Sequence, residues 1–154
     1  MLVAESRHGV ELYSALHLMN AALIVFGQIP LQALINRWPT RLVMVTGCGA
    51  MALGFLGLAL PVHEWSLFLA LFVITLGEML AFPTSNIITD QLAPEGMKGS
   101  YFGATQLKTL GVVLGPIVGG YLYQEHGRAL LYVVMAATAV ASAIVMEIGL
   151  KKAG

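Results

Sequence analysis

The residues with chemistry to offer are charges and amides set inside long apolar runs. Glu78 lies in the middle of Ile74-Thr75-Leu76-Gly77-Glu78-Met79-Leu80-Ala81, and Lys108 follows Gln106 just ahead of a glycine-rich apolar stretch. An ionised carboxylate in such surroundings is costly, so it persists where it is protonated, paired or hydrated; it is a group able to exchange a proton or hold a cation. Lys108 is its candidate partner, with snorkelling toward the membrane surface as the alternative role. At about 100° per residue, Tyr13, Ser14, His17, Asn20, Gln28 and Gln32 fall within about 120° of arc, and Thr75, Glu78, Ser85, Asn86 and Thr89 within about 100°. Two such rows read as walls of a polar path. The same side chains also fasten membrane helices to one another by hydrogen bonds, so for His17, Asn20 and Gln28 both roles stand. His17 has no second ligand at metal spacing, and neither a metal site nor a cofactor is expected.

The elements that must carry these rows are long and greasy. Of 154 residues, 58% are hydrophobic and only 10% charged, with mean hydropathy +0.81; a soluble domain carries about a quarter charged residues. Eight Lys+Arg balance eight Asp+Glu, which leaves no basic patch for nucleic acid. The one cysteine, Cys48, gives no disulfide framework. Phosphate loops, nucleophile elbows and metal spacings are absent from the sequence, so an enzyme is not expected. Crossing a hydrocarbon core of about 30 Å takes roughly 20 apolar residues as a helix, and only helices or closed barrels satisfy their backbone in lipid. Residues 13–35, 42–60, 65–90, 101–123 and 129–150 qualify, and they are too long for barrel strands. The expectation is an all-α integral membrane bundle of five transmembrane helices in a single domain, with a bend at Pro83. Residues 1–12 read as a polar loop without the apolar core of a signal peptide.

Short connections make the helices alternate up and down. Arg37, Arg41, Lys98, Lys151 and Lys152 fall on one side and Arg7 and Arg128 on the other. The excess marks the cytoplasmic side, which places the N-terminus outside and the C-terminus inside. An odd number of spans starting outside, with no leader, points to a piece of a longer protein. Spans one, three and four carry the polar groups. Spans two and five hold little besides apolar residues, Gly and Ala, and are expected at the periphery. In the fourth, Gly111, Gly115, Pro116, Gly119 and Gly120 make a face without side chains that permits close packing or bending.

Several segments carry a family resemblance. Leu34-Ile35-Asn36-Arg37-Trp38-Pro39-Thr40-Arg41 resembles the D-R-x-G-R-R/K cytoplasmic loop motif of the major facilitator superfamily, with Arg37 and Arg41 at its basic positions, Asn36 in place of the acid and Pro39 in place of the glycine. Gly77-Glu78-Met79-Leu80-Ala81-Phe82-Pro83 resembles the tenth helix of that family's bacterial drug exporters. Gly99-Ser100-Tyr101-Phe102-Gly103, after Leu92-Ala93-Pro94-Glu95, resembles the start of their eleventh. Gly111-x3-Gly115-Pro116-x2-Gly119-Gly120 resembles the antiporter motif of the fifth helix, which internal symmetry maps onto the eleventh.

The resemblance spans essentially the whole chain and implies helices eight to twelve of the fold. It implies a proton-coupled exporter of small amphipathic compounds in a bacterial plasma membrane. Glu78 and Lys108 would then lie on the transport pathway, and His17, Asn20, Gln28, Thr75, Ser85, Asn86 and Gln106 would line the cavity. The expected partners are the bilayer, a small-molecule substrate, protons and the missing N-terminal half. A sugar or metabolite permease, or a membrane helix bundle that transports nothing, are the alternatives.

Overall fold

The computed structural model describes the backbone of residues 2–60 and 63–153, and the side chains of 9–60 and 63–149. The side chains of Arg7, Lys151 and Lys152 and the loop residues Pro61 and Val62, all used above to count charges or place a connection, lie outside the described residues. The described secondary structure is helical throughout: α1 (Leu2–Ile35), α2 (Thr40–Ala59), α3 (Glu64–Leu92), α4 (Lys98–Thr105) and α5 (Lys108–Ala153).

Four stretches are long and apolar enough to cross a membrane: Gly9–Ile35, Thr40–Ala59, Glu64–Leu92 and Lys98–Gly149. The last has 52 residues, about 78 Å as a straight helix at 1.5 Å per residue, well over twice a hydrocarbon core. It is not straight. Gly127 has φ 78° and ψ 179°, a backbone conformation open essentially to glycine alone. A Cβ at Gly119 would lie 3.6 Å from Leu131 Cδ1, and Thr109 and Val112 share a cleft with Ala139 and Ser142. These pairs are centred near Glu125, so α5 doubles back as two antiparallel arms, 108–126 and 128–153. The fourth and fifth expected spans correspond to these two arms, two helices that meet at the non-helical Gly127.

Two local expectations change. Residues 2–12 are not a loop but the first turns of α1; Ala, Glu and Leu in this stretch are good helix formers. The fourth span is not continuous from Tyr101. It breaks at Gln106 and Leu107, whose amides bond back three residues to Gly103 and Ala104 at 3.0 and 3.1 Å. Gly99 and Gly103 weaken the helix here, and the Thr105 hydroxyl donates to the Phe102 carbonyl at 2.7 Å, so that a side chain competes with the backbone ladder.

The core lies between α2 and α3. Gly47 and Gly54 of α2, seven residues apart, face Ala70, Gly77 and Ala81 of α3. A Cβ on Gly77 would stand 2.5 Å from Met51 Cγ, 2.6 Å from the Gly47 carbonyl oxygen and 2.8 Å from the Met51 nitrogen; one on Gly54 would stand 2.4 Å from Ile74 Cγ1. Where lipid and side chain are equally apolar, close backbone approach is what holds helices together. On its other flank α2 meets the second arm of α5, where Met44, Cys48, Ala81 and Ile88 form a cluster joined by Met51, Ala143 and Met146. The second span is therefore at the centre of this chain rather than at its edge. Its small residues bury more readily than the polar faces of the first and fourth spans, which stay largely exposed.

Polar contacts tie the helix ends. The Arg41 guanidinium pairs with the Glu147 carboxylate across α2 and the second arm of α5. Lys98 Nζ meets Asp90 Oδ1 at 2.6 Å between α4 and α3. Arg128 donates from Nη2 to the Leu60 carbonyl at 2.9 Å, which holds the α5 elbow against the far end of α2. All three are wholly or partly exposed contacts at the helix ends.

Candidate functional site

The polar row of α1 meets α3. Asn20 Nδ2 donates to Thr75 Oγ1 at 3.0 Å and also hydrogen-bonds the Glu78 side chain. Thr75 is fully buried, and its hydroxyl donates a hydrogen bond to the Leu71 carbonyl at 2.8 Å. Glu78 is half-buried beside it. One turn further along the seam, Gln28 Nε2 and Gln32 Nε2 both donate to the Met79 carbonyl, at 3.1 and 3.0 Å. That double bond to one oxygen has a covalent cause. In an α-helix the amide of residue 83 would serve the carbonyl of residue 79, and Pro83 has no amide proton to give. Within a bilayer an unserved carbonyl costs free energy, and the two glutamines supply the missing donors from the neighbouring helix.

A second polar group lies lower on α3. Ser85 and Asn86, about 11 Å from Glu78 along the helix axis, line a cleft of about 610 Å³ with Lys108, Thr109 and Val112 of the first α5 arm, Ala139 and Ser142 of the second, and Met44, Cys48, Met51, Ala81 and Phe82. The walls are mostly apolar, with a cation and a few hydroxyl and amide groups at one side, a composition suited to an amphipathic ligand.

The sequence-derived set therefore divides. Asn20, Gln28, Thr75 and Glu78 come together on the α1–α3 seam, while Ser85, Asn86 and Lys108 come together in the α3–α5 cleft. Among the described residues neither Glu78 nor Lys108 takes part in an ion pair, so the expected Glu78–Lys108 pairing is not made. The break at Gln106 moves the start of α5 to Lys108, toward Ser85 rather than Glu78. His17 is exposed on α1, hydrogen-bonded to the Tyr13 carbonyl of its own helix at 3.1 Å and packed at a 37° tilt against the Tyr13 ring with centroids 4.0 Å apart. Gln106 is exposed in the turn between α4 and α5. Arg37 is exposed in the α1–α2 loop, and Arg41 is held by Glu147. Gly111, Gly115 and Gly120 have no neighbour within 4 Å of a notional Cβ, and Pro116 lies on the same open arm, so the close-packed glycines of this chain are instead Gly47, Gly54 and Gly77. No group of three metal-ligating side chains occurs among the described residues.

Two features escape attention when residues are taken one at a time. Gln32 gains its role only from Pro83, although the signal is present in the sequence as a proline deep in an apolar helix whose carbonyl four residues back needs a donor. The Arg41 partner, Glu147, sits 106 positions away and has no local signature.

Comparison with known proteins decides the family. The sequence profile of the Major Facilitator Superfamily matches residues 1–109. The chain belongs to the major facilitator superfamily. Its relatives include the MFS-type transporter YttB of Bacillus subtilis, 38% identical over 79% of this chain and 32% of the relative, and the MFS-type transporter YdeE of Escherichia coli, 27% identical over 98% of this chain and 38% of the relative. The multidrug resistance protein MdtH of Photorhabdus laumondii is 30% identical over 60% of this chain and 23% of its own length. The chain thus spans about a third of the curated relatives it matches most fully. No solved structure matches it. As a facilitator-superfamily chain with membrane-length apolar helices, it is a multi-pass membrane protein of a transporter family, and the four long helices are a partial facilitator bundle.

Proposed function

We propose that this chain forms helices eight to twelve of a proton-coupled secondary transporter that exports small amphipathic compounds from a bacterial cell. The observation that carries this reading is Glu78, a half-buried carboxylate in an apolar helix, hydrogen-bonded by Asn20 and without a cationic partner among the described residues. Such a group is free to take up and release a proton as its surroundings change. Alternating access supplies the change, since the two halves of a facilitator fold rock about a midplane site. Protonation of Glu78 neutralises the α1–α3 seam and favours one conformation, and substrate in the apolar cleft beside Lys108 favours the other. The multidrug name carried by one relative supports export of amphipathic compounds over uptake of sugars. The end of the bundle that carries Arg37 of the α1–α2 loop and Arg41 of the first turn of α2 faces the cytoplasm in this reading, with the N-terminus outside.

The experiment is Glu78→Gln in the complete transporter, reconstituted in vesicles with an imposed proton gradient. Proton-driven export is lost while expression and membrane insertion persist. Export that continues with the same dependence on the gradient removes Glu78 from the coupling step.

A further inference from the structure

We infer that Gln28 and Gln32 are positioning residues for Glu78, acting through the backbone of α3 rather than on any solute. Pro83 leaves the Met79 carbonyl without its intrahelical donor, and both glutamine amides fill that place from α1. Met79 directly follows Glu78, so whatever holds the Met79 peptide sets the course of α3 where the carboxylate leaves it. The glutamines stand four residues apart on one face of α1, with the side chain of Met79 laid across Gly27 between α1 and α3; a Cβ at Gly27 would be 3.0 Å from Met79 Cε. Met79 itself is 3% exposed. The junction is thus a half-buried socket in which one acceptor with two lone pairs receives two donors from another helix.

The arrangement has a specific consequence. A carbonyl served by its own helix keeps its bond however neighbouring helices move. A carbonyl served from α1 keeps it only while α1 and α3 stay in register. Sliding or tilting α1 releases the Met79 carbonyl and loosens α3 at Pro83, next to Glu78. The glutamines therefore couple the position of α1 to the placement of the carboxylate. This rests on the reading of Glu78 as the ion-coupling group, but its physical core, a proline-freed carbonyl held by two glutamines, is testable without it.

The test is a cycle between the glutamines and the proline in the complete transporter. Gln28→Met with Gln32→Met removes both donors at nearly constant volume, and Pro83→Ala restores the native amide donor to Met79. With Pro83 present, the double substitution lowers the melting temperature in detergent by about 1–2 °C and moves the midpoint of the pH profile of transport by about threefold in proton concentration. With Pro83→Ala in place, the same double substitution leaves both unchanged. Either single substitution has the smaller effect, because one donor still serves the carbonyl. An equal loss in both backgrounds shows ordinary interhelical glue and overturns the inference, as does no loss in either. A melting shift that depends on Pro83 without any movement of the pH profile keeps the carbonyl clamp and rejects its link to Glu78. Glu78→Gln, read separately, tests the coupling role itself.

Discussion

α3 has two flanks built on opposite principles. Against α2 it presents Ala70, Gly77 and Ala81, and the backbones meet so closely that a single added methyl on Gly77 would overlap main-chain atoms. Against α1 it presents Thr75, Glu78 and the Met79 carbonyl, and the contact is made by amide hydrogen bonds near 3 Å. Dispersion between fitted backbones falls off steeply with any gap, so the first flank favours one arrangement. Interhelical hydrogen bonds in membranes are worth about 0.6 kcal/mol on average and can be exchanged for other partners. One helix therefore has a fixed side and an adjustable side, with the acidic group on the adjustable one.

The contrast can be broken at its strong end first. Gly77→Ala drives a methyl into the Gly47 carbonyl and the Met51 backbone, neither of which can step aside. Unfolding in detergent is expected to show a loss of about 2 kcal/mol, as for overpacked interiors; an unchanged melting curve would mean that α2 and α3 part freely and that the fixed side is not fixed. On the adjustable flank, Asn20→Leu removes the bond to Thr75 and the one to Glu78. Thr75 keeps its bond to the Leu71 carbonyl, so two interhelical bonds are lost and the cost is expected to be about 1.2 kcal/mol, measured the same way. A loss as large as that of Gly77→Ala would make the two flanks equivalent. The smallest effect belongs to the open glycine face of the first α5 arm. Gly115→Ala meets nothing within 4 Å, so this chain is expected to be unaffected or to gain up to about 1 kcal/mol of helix preference. Destabilisation by the same change in the complete transporter would reveal a neighbouring helix seated on that face.

Much of this was legible one helix at a time. The polar rows of α1 and α3 follow from 100° periodicity, and Asn20, Gln28, Thr75 and Glu78 do converge. The break at Gln106 was less legible, because no proline marks it. The two arms of α5 overlap the expected fourth and fifth spans with shifted ends, and Gly127 supplies the turn between them. The glycine pattern misled by emphasis: Gly111–Gly120 is the denser run, but Gly47, Gly54 and Gly77, scattered through two segments, form the tight seam. Spacing along one helix cannot say which glycine face will find a matching surface.

The amino-acid order by itself determined that this chain lives in a membrane, that it is helical, which residues share a face, and that the Met79 carbonyl lacks a donor from its own helix. Those are matters of local backbone geometry and of the free energy of moving apolar and polar groups between water and lipid. Only the tertiary structure decided that the donors come from Gln28 and Gln32, that Arg41 answers Glu147, and that Lys108 stands by Ser85 instead of Glu78. Such pairings join residues far apart in the chain, and they depend on how whole helix surfaces fit, a property that no stretch of sequence carries alone.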